Sequence, residues 1–247
     1  MCPIKLVGFD LDDTLYDSTG LSERARIKGI DAMLKLGLRL DRNKAIKIIQ
    51  EIVKEYGSNS SEHYNFFLRR LIELEKEIND IPYIDQIKYI AAAVMAYHDE
   101  KTKTIKLYED VEECLFKLRD LSIKTAIITD GIPIKQYEKI LRLGLEELVD
   151  LVVISDEIGI KKPNPKLFDY CLKKFGVKGE ETIYIGDRIE KDIIPALLNN
   201  IHSVLVHRGG KYDLNRTRMK ILNDVKPEYD ISNLNEIFQI IEEINSK

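Results

Sequence analysis

Tryptophan is absent from the 247 residues, and cysteine, methionine and proline number only three, four and seven. Cys2, Cys114 and Cys171 are odd in number and far apart with no C-x-x-C among them. That spacing points to neither a disulfide framework nor a zinc site, and the thiols are expected to be buried and inert. No apolar run approaches the ~18 residues needed to cross a bilayer, so no membrane span is expected. No signal-peptide pattern precedes the first apolar stretch, and a cytoplasmic protein is expected. An excess of positive charge is missing as well: a net charge of −4 and a pI near 5.7 offer no basic field for nucleic acid. What is present, 44% hydrophobic and 32% charged residues, suits a soluble globular chain of one large domain or two modest ones. Abundant Lys, Glu and Ile beside so little Trp, Met and Cys is a thermophile-like composition.

The stretch Lys5 to Asp17, K-L-V-G-F-D-L-D-D-T-L-Y-D, organises the rest. It starts as a short apolar run of β-formers, which reads as a buried strand, and ends abruptly in carboxylates. In an open α/β sheet the carboxyl end of a strand is where ligands bind. Asp10, Asp12 and Asp13 repel one another, so a cation, a proton or open water must relieve them, and a divalent metal does so most simply. Taken alone, D-x-D-D-T reads equally well as a solvated, capped turn.

After Asp17 the pattern becomes helical. Leu21–Leu38, Asp41–Tyr56, Ser61–Ile78 and Tyr83–His98 carry apolar residues at helical spacing, with Asn79-Asp80-Ile81-Pro82 separating the last two. From Val111 helices alternate with strands. Helix Val111–Leu121 precedes strand Lys124–Thr129, which runs into Thr129-Asp130-Gly131. Helix Pro133–Leu143, stopped by Gly144, precedes strand Leu151–Ser155. A helix opened by Asn164 or Pro165 and running to Phe175 precedes strand Thr182–Ile185, whose own helix ends near Asn200. Strand Ser203–Val206 and a final β/α pair near Asp230–Ile231 and Asn233–Ile244 complete the chain. Such alternation implies right-handed crossovers and a doubly wound parallel α/β sheet. The expected division is an α/β core of residues 1–17 and 105–247 with an inserted all-helical cap of residues 18–104. No internal repeat is visible.

Polar residues gather at four strand ends: Asp10 and Asp12, then Thr129 with Gly131, then the Lys161/Lys162 loop, then Asp187 and Asp192. In this order D-x-D-x-T, the Thr at the second strand's tip, K-P-x-P and G-D-x-x-x-x-D resemble the motifs of the haloacid dehalogenase superfamily, from residue 10 to residue 192. The resemblance implies a Mg²⁺-dependent phosphatase acting on a small-molecule phosphate ester, with strand order 5-4-1-2-3. Asp10 would be the nucleophile that forms an aspartyl phosphate, and Asp12 the acid/base that protonates the leaving oxygen and then activates water. Members that remove halide lack this second acid, so Asp12 argues against dehalogenation. Thr129 and the amides of Asp130 and Gly131 would hold phosphoryl oxygens. The Asp130 side chain departs from an Asn usual in family phosphatases. Lys162, rather than Lys161, would bind phosphate. Asp10, the Asp12 carbonyl and Asp187 would hold Mg²⁺, with Asp192 behind them. Asp13 and Asp17 read as capping or flap residues and the four histidines as structural, while Tyr16, Arg24 and Arg26 lie where flap and lid begin and are candidates for substrate contact. The sequence is also similar to the archaeal glyceraldehyde 3-phosphate phosphatase branch of the family, which implies a triose or sugar phosphate as substrate. A phosphomutase is the nearest alternative. A receiver-type signalling module, about half this length, explains neither Asp12 nor the helical insertion.

Overall fold

The computed structural model describes residues 3–74, 83–210 and 225–246, and the chain divides into two compact units, Met1–Thr19 with Ile105–Lys247 and Gly20–Thr104. The second unit is built from α1 (Ser18–Lys35), α2 (Arg42–Tyr56), α3 (His63–Leu74) and α4 (Tyr83–Thr104). The end of the expected helix Ser61–Ile78 and the separator Asn79-Asp80-Ile81-Pro82 lie outside the described residues. Asp41 caps α2 by accepting the amide of Lys44 at 2.8 Å. The apolar stripes that announce these helices meet in one core of Ile30, Met33, Ile49, Ile52, Phe67 and Leu71. Among the described residues no helix is long and apolar enough to cross a membrane.

The first unit is a parallel sheet with helices between its strands. β1 (Leu6–Phe9) lies at its centre, between β2 (Lys124–Thr129) and β4 (Thr182–Gly186), with Leu6 opposite Lys124 on one side and Thr182 on the other. β3 (Leu151–Ile154) pairs outside β2, and β5 (His202–Val206) and β6 (Tyr229–Ile231) follow β4. The order β3-β2-β1-β4-β5-β6 contains the expected 5-4-1-2-3 and adds β6 at the edge. This sixth strand is three residues long, too short for a hydrophobic pattern to place it in a sheet.

The intervening helices are α5 (Val111–Asp120), α6 (Pro133–Arg142), α7 (Ser155–Ile158), α8 (Lys166–Phe175), α9 (Ile194–Leu197) and α10 (Ile237–Ser246). On one face Leu6, Ala126, Ile128, Val153 and Tyr184 meet Leu167, Phe168, Cys171 and Leu172 of α8. Gly8 makes room for this packing, since a Cβ there would come within 2.8 Å of the Tyr184 ring.

A regular helix was expected after β4. Instead Ile189–Ile193 forms a π-helical turn, in which the Ile193 amide reaches the Arg188 carbonyl at 3.4 Å, and α9 follows. Pro195 supplies the reason: it has no N–H for the carbonyl of Lys191 and its ring crowds that carbonyl, so the turn widens. The widened turn brings Asp192 back against Gly186, where any Cβ would stand 2.4 Å from the Asp192 side chain.

Candidate active site

Parallel pairing aligns the carboxyl ends of the strands, so the residues that terminate β1, β2 and β4 come together at one edge of the sheet. Asp10, Asp12, Thr129, Asp130, Gly131, Asp187 and Asp192 all lie there or in the segments leaving it, and Lys162 arrives from the loop after α7.

Lys162 is the hub. Its ammonium, with the side chain 1% exposed, stands 2.7 Å from Asp10 Oδ1, 2.7 Å from Asp192 Oδ1 and 2.6 Å from the Tyr184 hydroxyl. That hydroxyl donates in turn to the Ile128 carbonyl at 3.1 Å. Lys161 faces outward and pairs with Asp156 at 3.3 Å. Burial alone would lower the Lys162 pKa, but the Asp10 and Asp192 carboxylates outweigh it and hold the group well above the ordinary lysine range. Lys162 is therefore a fixed cation.

Its single charge is shared by Asp10 and Asp192, and a third acid, Asp187, stands close to both. Oxygens of Asp10, Asp187 and Asp192 lie within 4.8 Å of one another. Burial, opposed by Lys162 and reinforced by the charge of Asp192, pushes Asp10 up to about 7. Burial and the charges of Asp10 and Asp192 push Asp187 up to about 9. With all three ionised, the carboxylates and the one ammonium would leave two negative charges, and the raised pKa values of Asp10 and Asp187 reflect that crowding together with burial. Asp192 spends its oxygens on Lys162 and on the Arg188 amide at 3.1 Å. Asp10 Oδ2 and the Asp187 carboxylate meet no hydrogen-bond donor among the described residues. Hard oxygen donors with two charges uncompensated fit a divalent cation, and Asp10 and Asp187 are the residues free to hold it, with Asp192 behind them.

Asp12 faces a different environment. Lys139 Nζ stands 2.8 Å from each of its oxygens, the Tyr16 hydroxyl donates to Oδ1, and Gln136 Nε2 approaches Oδ2 at 3.3 Å. Burial raises its pKa, but Lys139 and the hydroxyl donors more than offset that, and the group is held below the usual carboxylate range. Gln136 also donates to Thr129 Oγ1 and to the Asp130 carbonyl, both at 2.7 Å. The Thr129 hydroxyl proton is left for another acceptor.

The Asp130 side chain points along the edge: Oδ1 accepts the Lys162 amide at 2.9 Å and Oδ2 accepts Lys191 Nζ at 2.7 Å. The Gly131 amide donates to Ser155 Oγ at 3.1 Å, so an anion must displace that hydroxyl to use it. Asp13 caps α1 by accepting the Thr19 amide at 2.7 Å. The histidines lie elsewhere: His63 bonds the Gly57 carbonyl, and His202 and His207 pair with Glu228 and Asp230. Cys114 and Cys171 are buried, and burial pushes both thiols up to about 12.

Sequence reasoning missed Gln136, Lys139, Tyr184 and Lys191. One signal was present for the first two. They stand three apart in the helix that leaves the T-D-G tip, so they share a face, and both reach back to the edge.

Residues 4–197 match the haloacid dehalogenase-like hydrolase family, and the chain belongs to it. A glyceraldehyde 3-phosphate phosphatase of Methanopyrus kandleri is 40% identical over 243 residues, 98% of each chain. One of Pyrococcus furiosus is 39% identical over 242 residues, 98% of this chain and 95% of that one. The crystal structure of a HAD phosphatase from Thermococcus onnurineus superposes with a TM-score of 0.62 at 25% identity, covering 96% of this chain and 98% of the other.

Proposed function

We propose that this hydrolase cleaves a small phosphate monoester, glyceraldehyde 3-phosphate or a similar triose or sugar phosphate, through an aspartyl phosphate at Asp10 and with Mg²⁺. The enzyme class, phosphoric monoester hydrolase, is that of the relatives over nearly the whole chain. The observation that carries the reading is a carboxylate at the end of β1 whose one oxygen is held by a buried ammonium at 2.7 Å while the other is left free beside Asp187.

Asp10 attacks phosphorus with a carboxylate oxygen, forming the acyl phosphate as the ester oxygen leaves. Lys162 fixes the rotamer of Asp10 and supplies positive charge where phosphoryl oxygens gather. Thr129 donates its hydroxyl proton to one of those oxygens. Asp12 protonates the leaving oxygen and then takes a proton from the water that cleaves the acyl phosphate. The second task suits its ionised state beside Lys139, whereas the first requires that pair to open. Bound between Asp10, Asp187 and the Asp12 carbonyl, Mg²⁺ would neutralise the acids and draw electron density from the phosphoryl oxygens. The helical unit of residues 20–104 is assigned to substrate selection.

A panel of triose, sugar and aryl phosphates assayed with Mg²⁺ and with EDTA tests the proposal. Hydrolysis is expected only with the cation, and full activity in EDTA would overturn the metal-dependent reading.

A further inference from the structure

We propose that Lys191 is a positioning residue of the phosphate site: it is the counter-ion that allows an aspartate to stand at position 130, and through Asp130 it fixes the backbone of Lys162. The proposal rests on the phosphate-ester reading above.

Position 130 follows Thr129 at the tip of β2, within the loop whose donors would receive the phosphoryl group. A carboxylate there repels a phosphate unless its charge is cancelled locally. Lys191 cancels it at 2.7 Å, with side chains 34% and 23% exposed. The same carboxylate accepts the Lys162 amide at 2.9 Å with its other oxygen. Lys191 and Asp192 are consecutive in the π-helical turn, and they diverge to opposite ends of one residue. Asp192 takes the Lys162 ammonium at 2.7 Å, and Lys191 holds, through Asp130, the Lys162 amide. One turn therefore sets both the main chain and the side chain of the buried lysine. An asparagine at 130 could accept the same amide without needing a cation, so Lys191 is required because residue 130 is charged.

The test is binding of inorganic phosphate to the full chain in Mg²⁺, by calorimetry, beside kinetics on a phosphate ester. Lys191→Met leaves the Asp130 charge uncompensated and should weaken phosphate about tenfold, raising KM in parallel with a smaller change in kcat. The double variant Asp130→Asn with Lys191→Met should recover most of the affinity, because Asn keeps the acceptor for the Lys162 amide and removes the charge. Lys191→Arg should stay near the wild type. A merely structural role would lower the melting temperature of Lys191→Met, and the second substitution would not restore phosphate binding. The inference is overturned if Lys191→Met binds phosphate as the wild type does, or if the double variant is as weak as the single one. Failure of the wild type to bind phosphate or hydrolyse any ester would overturn the functional reading as well, so the two failures are distinguishable.

Discussion

Asp10 and Asp12 leave the same strand two residues apart, and each meets a lysine at 2.7–2.8 Å, yet their surroundings move them in opposite directions. Asp10 lies in a closed cluster where Lys162 is shared with Asp192 and faces Asp187, so burial and crowding of like charge keep its pKa up, at about 7. Asp12 has Lys139 to itself, 20% exposed, with a hydroxyl and an amide completing its shell, and it is held down. A lysine contact alone therefore does not set the charge of a carboxylate; burial, the other acids nearby and the remaining hydrogen-bond donors weigh with it. Without a further cation this pattern is the reverse of what a nucleophile at Asp10 and an acid at Asp12 need. In the proposed mechanism a divalent ion beside Asp187 would correct the first, and release of Lys139 would correct the second.

The largest effect expected from breaking this asymmetry is kinetic. Asp12→Asn should slow turnover of alkyl phosphates by roughly 10²–10⁴, because the basic alkoxide leaves only when protonated. A nitrophenyl ester departs without that help, so the variant should release about one nitrophenolate per enzyme in a burst and then stall. Asp10→Asn should show no burst. Near wild-type turnover of alkyl phosphates by Asp12→Asn would remove Asp12 from the acid/base role.

The next effect is on stability. Lys162→Met strands Asp10 and Asp192 with no cation and should cost about 3–5 kcal/mol, the usual penalty for breaking a buried ion pair from one side. Calorimetry should show the transition of the α/β unit falling by roughly 6–20 °C. A drop of a degree or two would mean that the cluster relaxes by taking up protons or water. Tyr184→Phe removes one hydroxyl between Lys162 and the Ile128 carbonyl, and the expected loss is about 1–2 kcal/mol by denaturant unfolding. Lys139→Met, in the more solvated pair, should cost about 1 kcal/mol or less in the same experiment. If Lys139→Met destabilised the protein as much as Lys162→Met, the contrast between the two pairs would be lost.

The strand tips were legible because their chemistry is local: Asp10, Thr129 and Asp187 each follow an apolar run within a residue or two, and parallel pairing does the rest. The preference for Lys162 over Lys161 came from the motif, and the geometry gives it a reason in the 1% exposure of its side chain. What could not be read was partnership across long separations. Lys139 is 127 residues from Asp12 and Lys191 is 61 from Asp130, and helical spacing, which puts Lys139 on the face of Gln136, does not say which acid such a lysine meets. The use of the Asp130 side chain was illegible for the same reason. The π-helical turn was masked by an apolar periodicity that continues past Pro195, although the proline itself was the clue.

The central position of β1 has a consequence for synthesis on the ribosome. Its two partners begin at residues 124 and 182, both beyond the helical insertion, so the first strand made is hydrogen-bonded on both edges only after β4 has been made. At about 5–20 residues per second the stretch L-V-G-F waits roughly ten to forty seconds for β4 to emerge, while the helical unit, one uninterrupted stretch of chain, has time to fold. A nascent chain stalled before residue 182 thus leaves at least one edge of this apolar strand unpaired. An arrest-peptide force profile is expected to record the pull of the α/β unit only after β4 has cleared the exit tunnel.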